Sequence, residues 1–211
     1  MKDALYFVQV AIEAVLGAVG VRLYEEPPYA VVASLAPQVE VRRYAPRLAA
    51  EVEVAGTDTQ PARDEAFQFL FRYIAGANRA AEAATKIAMT VPVEVAPAAR
   101  IAMTVPVETA AAPGAVRMRF FLPATFTAAD APVPQDSRVR LVEVPEETLA
   151  VLRFGGRADL ADESARQREL LEALDGTDWR AAGTPFAYYY DSPFTIPFLR
   201  RNEAAVRVEA R

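Results

Sequence analysis

The sequence contains no cysteine and no histidine. Without cysteine there is no disulfide, no thiolate nucleophile, no iron–sulfur cluster and no cysteine-based zinc site. Without histidine every catalytic triad that uses an imidazole is excluded, and so is every histidine-ligated metal. A basic surplus is also missing: the 211 residues carry 23 Lys and Arg against 28 Asp and Glu, a net charge of −5 with both signs interspersed. General nucleic-acid binding normally needs a positive stripe or patch, so no nucleic-acid partner is expected. A glycine-rich phosphate loop is absent, Gly155-Gly156 being only a turn signal.

What remains is a chain of globular composition, long enough to bury a sizeable core. Residues 4–21 are mostly apolar, broken by Gln9 and Glu13. That length and that charge disfavour a membrane span. A helix over residues 1–24 is expected to lie on the domain or against a membrane surface. Glu25-Glu26-Pro27-Pro28 ends it, because proline cannot continue a helix. Residues 25–211 then form a single domain.

Short strands are expected over Val39–Tyr44 and Leu48–Val54, joined tightly at Ala45-Pro46. Ala62–Ala75 has Ala66, Phe67, Leu70, Phe71 and Ile74 at helical spacing, with Pro61 at its start and Gly76 at its end. Phe69 and Tyr73 widen this face, which is expected to pack in the core and in part to line an apolar groove. The phrase IAMTVPVE occurs twice, at Ile87–Glu94 and Ile101–Glu108. Its period-two alternation predicts a hairpin of two half-buried strands, with Met89 and Met103 on the apolar side. Glu94 and Glu108 then fall on the polar face as a solvated pair. Val116–Phe121 is a further strand. Arg138–Val144 and Thr148–Phe154 read as a second hairpin-like pair across Pro145. A helix follows from about Ala158 to Leu174, with Asp159 as N-cap, and Ala187–Tyr190 and Ala204–Val208 are the last strands. This order predicts a duplicated α+β unit with two helices on a curved, barrel-like sheet. No catalytic residue and no metal site is predicted, so the chain reads as a ligand-binding or structural domain without enzymatic activity.

The segments RRYAP, KIAMTVPVE with its second copy, RVRLVEVPE, VLRFGG and DSPFTIPFLRRNE resemble, in this order, the SOUL family of haem-binding proteins. The resemblance implies an α+β fold similar to GyrI-like effector-binding domains: a distorted, mostly antiparallel eight-stranded sheet with two core helices and pseudo-twofold symmetry. It implies binding of haem or a related tetrapyrrole as a small hydrophobic ligand, in a groove beside the first core helix. Carried onto this chain, that groove takes Phe67 and Phe71, with Leu70 on the same helix. Arg200 and Arg201 are the basic groups for the propionates, and Tyr73, Met89 or Met103 are what the chain could offer to the iron in place of histidine. A cytoplasmic location is expected, with residues 4–21 as the segment for peripheral membrane contact where that helix lies on a membrane and not on the domain. The alternatives are a GyrI-like module for another small apolar molecule and a membrane-associated interaction protein.

Overall fold

The computed structural model describes residues 25–79, 101, 104–112, 114–157, 159–191 and 195–211. The expected N-terminal helix and the hairpin of the doubled phrase, with Met89, Glu94 and Met103, lie outside the described residues. The first half of the domain comprises β1 (Tyr29–Ala36), β2 (Val39–Tyr44), β3 (Arg47–Ala55), α1 (Gln60–Ile74) and β4 (Asn78–Arg79). It continues through β5 (Val107–Ala112), β6 (Ala115–Phe121) and β7 (Val133–Pro134). The second half has β8 (Arg140–Val144), β9 (Glu147–Phe154), α2 (Leu160–Glu172), β10 (Trp179–Ala181), β11 (Phe186–Tyr189) and β12 (Asn202–Ala210).

Among the described residues ten strands form one antiparallel sheet, ordered β1-β2-β9-β12-β11-β5-β6-β3-β8, with β10 also paired to β12. The sheet curls into a half-barrel, and α1 and α2 pack on one of its faces. This is two strands more than the eight expected. Neither β1 nor β10 shows a strand signal: β1 is exposed along most of its length, so no alternation marks it, and β10 has three residues.

The pairing of the second predicted hairpin is different from that expected. β8 does not pair with β9. β8 pairs with β3, and β9 pairs with β2, so each half lends a strand to the other. Residues 39–51 run antiparallel to residues 140–152, with both ribbons bending between their strands at Ala45-Pro46 and Pro145-Glu146. The prolines remove an amide donor at each bend. The bend carries each chain across to the far end of the curled sheet.

Helix ends follow local chemistry. The Thr59 hydroxyl accepts from the Ala62 amide and Pro61 occupies the first turn of α1. The Asp159 carboxylate accepts from the Ala161 and Asp162 amides and caps α2. Under α1 lies a core of Leu48, Ala50, Val52, Leu70, Met118 and Phe120. Under α2 lies one of Val39, Val41, Leu152, Leu170, Ala204 and Val206. Strand alternation sends the intervening residues to the open face, where Phe121, Leu149, Val151, Phe186 and Tyr188 form a third cluster. Val105 packs in this cluster and Val107 under α1, so the two do not share the face that their spacing predicts. Pro106 interrupts the pattern and β5 begins only after it.

Candidate ligand site on α1 and the charges on the duplication axis

Along α1, Arg63, Phe67 and Phe71 form a row at i, i+4 and i+8. At its head Arg63 crosses to α2: Nη1 and Nη2 donate to the two oxygens of Glu163 at 2.6 and 3.1 Å. Nη1 also donates to the Tyr189 hydroxyl at 2.9 Å, and Tyr189 in turn donates to Glu163. Asp58 holds the outer edge of the guanidinium. Burial works against the Arg63 charge, but Asp58 and Glu163 more than offset it, so its proton is held more tightly than usual.

Further along the row the rings of Phe67 and Phe71 lie nearly parallel, 14° apart with centroids at 6.0 Å. Phe67 is half-buried and meets Phe120 edge-on at 5.3 Å. Phe71 is 48% exposed. The other expected helix residues point elsewhere. Leu70 is fully buried in the core beneath α1. Tyr73 is buried, and its hydroxyl donates to the Pro132 carbonyl at 2.8 Å. Burial pushes that hydroxyl up to about 12, and its proton is committed to the Pro132 carbonyl. On the flank of α1 opposite Phe71, a cleft of about 260 Å³ lies between Phe69, Arg72, Tyr73, Gln135, Asp136 and Val139. The Arg138 guanidinium covers the Phe69 ring at 3.8 Å.

Both arginines have partners of their own. Arg200 donates through Nε to the Thr195 carbonyl. Arg201 is stacked on Tyr190 at 3.8 Å and paired with Glu203 and Glu26. Glu203 also takes Arg42 and Tyr190 on the open face, whereas the helices cover the other face. The sheet therefore stands between Arg201 and the Phe67–Phe71 row, and the structure does not bring the two into one groove.

The expected solvated position of Glu108 is also corrected. Glu108 is buried on the open face, where Arg119 donates to it at 3.0 Å and Arg117 lies at 3.5 Å. Alternation does assign it to the face away from α1. The curl of the sheet shields that face from water, which a strand pattern cannot show. Burial pushes its carboxyl above the ordinary 4.5, against the pull of Arg119 and Arg117.

The geometry has one organising feature that sequence patterns miss. Arg63 and Glu163 are each the fourth residue of their helix, and they stand 100 positions apart. Arg47 and Glu147 open β3 and β9, are also 100 positions apart, and also pair with each other, buried on the open face. Equivalent positions of the two halves thus meet twice on the duplication axis, once on each side of the sheet, each time as an arginine and a glutamate. The sequence signal was present in the equal spacing of the two strand-bend-strand-helix runs. Among the described residues no group of three or more acidic, His or Cys side chains could hold a metal ion. No described helix is long and apolar enough to cross a membrane.

Residues 24–207 match the family model of the SOUL heme-binding proteins. The chain belongs to that family. Among curated relatives, heme-binding protein 1 of Sus scrofa is 30% identical over 154 residues, covering 73% of this chain and 75% of the relative. Heme-binding protein 1 of Bos taurus is 29% identical, with 73% and 74% covered. Two solved structures share the fold at low identity. The EcmrR C-terminal domain has a TM-score of 0.56 at 10% identity, covering 82% of this SOUL chain and 98% of the domain. An uncharacterized conserved protein from Listeria innocua has a TM-score of 0.52 at 13% identity, with 82% and 92% covered. They establish the GyrI-like/SOUL architecture of a curled antiparallel sheet with two helices.

Proposed function

We propose that this SOUL protein binds and carries haem or a related tetrapyrrole, and that the Phe67–Phe71 plate on α1 is its apolar contact. The observation that carries this reading is the pair of near-parallel rings, half-buried Phe67 and exposed Phe71, on a helix of a heme-binding family member. The residues suit the porphyrin plane better than they suit the iron. The chain has no His or Cys, and the Tyr73 hydroxyl is buried and engaged. Met89 and Met103 are outside the described residues. Affinity is then assigned to apolar burial: a few hundred Å² at roughly 25 cal/mol per Å² supplies several kcal/mol before the costs of association. Arg201, committed to Glu26 and Glu203, is left out of the propionate contact; the role of Arg200 follows the resemblance alone.

The test is a titration of the full chain with haemin and, in parallel, with iron-free protoporphyrin, followed by the Soret band. Both are expected to saturate at one equivalent with similar affinities. Phe71→Arg, at an exposed position, should weaken both about tenfold or more, which is about 1.4 kcal/mol. Absence of saturable binding at tens of micromolar (on the order of −6 kcal/mol) would overturn the tetrapyrrole reading. Unchanged binding by Phe71→Arg would overturn the α1 plate. Binding of haemin alone would overturn the claim that apolar contact dominates.

A further inference from the structure

The open face of the sheet holds a second cleft, of about 230 Å³, on the side away from α1. Its floor is Ala110 of β5 and Phe186 of β11, its charged walls are Glu108, Arg117, Arg119, Glu147 and Arg207, and the turn Ala182–Thr184 forms its lip. Ligand pockets for larger molecules run to about 300–1,000 Å³, so this cleft suits a small molecule.

The charges decide which small molecule. Three of the wall and neighbouring carboxylates already accept from two arginines each: Glu51 from Arg119 and Arg140, Glu108 from Arg117 and Arg119, Glu147 from Arg47 and Arg207. Glu53 lies 3.5 Å from Arg140. Five guanidiniums therefore face four carboxylates, and one positive charge is left over. It is left at the mouth. Arg117 reaches its two carboxylates only at long range, Glu108 at 3.5 Å and Glu51 at 4.0 Å, and its buried Nε has no hydrogen-bond partner among the described residues. Arg207 meets Glu147 through Nε alone and is half exposed. One row deeper, in register with Glu108, the fully buried Tyr188 hydroxyl lacks a partner among the described residues, as do Nε and Nη1 of Arg47. Buried polar groups are normally paired, and here the arginine orphans can only donate, while the Tyr188 hydroxyl can donate or accept. A carboxylate supplies acceptors only, two oxygens with about four lone-pair sites, and suits an arginine fork. The apolar floor suits a short hydrocarbon or aromatic body.

We propose that this cleft is a binding site for a small monocarboxylic acid, held by Arg117 and Arg207 with its body over Phe186 and Ala110. The site is separate from the α1 plate, since the sheet lies between them. A cation is disfavoured because the carboxylates are already shared between arginines.

Benzoate tests this, with benzamidine as the cation of matched size, by amide NMR titration of the full chain. Benzoate is expected to saturate below about 10 mM (about −2.7 kcal/mol), shifting Ala110, Gly183 and Thr184. Arg117→Gln and Arg207→Gln should each weaken it about tenfold or more. Both side chains reach solvent, so both variants should fold; Thr184→Trp, which fills the lip from an exposed position, is expected to abolish binding without touching an arginine. Benzamidine should leave these amides unmoved. Benzoate shifts elsewhere, no saturation, benzamidine binding in place of benzoate, or wild-type affinity in all three variants would each overturn the proposal. Haemin titrations of the same variants read the other face and should match wild type, so failure here and failure of the tetrapyrrole reading are separable.

Discussion

At Glu108 two forces oppose each other: a carboxylate placed among arginines, and burial that disfavours its charge. Burial wins, and the folded-state pKa rises above 4.5. The folded protein then binds this proton more tightly than the unfolded chain does. Stability from this group is fully present below the ordinary value and is lost as pH rises through the folded value. Glu108→Gln keeps the shape and removes the titration. The Tm of wild type minus that of Glu108→Gln should therefore fall as pH rises from 4.5 towards neutrality, then level off. A difference that stays flat over this interval, or rises, would show that the arginines outweigh burial.

The helix α1 shows how far periodicity carries and where it stops. The spacing of Ala66, Leu70 and Ile74 does mark the buried stripe, and Pro61 and Gly76 mark the ends, because core packing and caps are local properties. The same spacing places Leu70 and Phe71 on one apolar face, yet one is fully buried and the other is nearly half exposed. Leu70→Ala should cost about 2–5 kcal/mol in urea unfolding, and Phe71→Ala within about 0.5 kcal/mol of wild type. Equal costs would mean that the aromatic row is covered in solution and is no ligand plate. The strands show the same limit. Their positions were legible in β2, β3, β6, β8 and β9, but their partners were not: Pro145-Glu146 looks like a hairpin turn because adjacency in sequence suggests pairing. Nothing local tells β9 to seek β2. The burial of Glu108 was hidden for a related reason, since curl is a property of the whole sheet.

Reciprocal strand exchange predicts that the molecule unfolds as one cooperative unit in spite of its duplication. β8 of the second half completes the β3 edge, β9 covers β2, and the Arg47–Glu147 and Arg63–Glu163 pairs each take one partner from each half. A buried ion pair that loses one partner leaves an uncompensated charge, at a cost of about 3–5 kcal/mol. In either half alone one axis residue, Arg47 or Glu163, would lose its ionic partner, whereas Asp58 would still hold Arg63 and Arg207 would still hold Glu147, and strand edges would be unpaired. The exposed turn Thr127–Asp130 lies near the junction of the halves, after β6 and before β7, so a cut there leaves β7 attached to the second half. Cleaving the chain there, between Ala128 and Ala129, should give two fragments that are each largely unstructured by far-UV circular dichroism. Mixed in equal amounts, they should regain the spectrum of the intact chain and a single unfolding transition. An Arg63→Glu first fragment should not complement the wild-type second fragment, because it sets a glutamate against Glu163. A fragment that folds cooperatively alone would instead identify an autonomous half, with the axis pairs serving only to dock it.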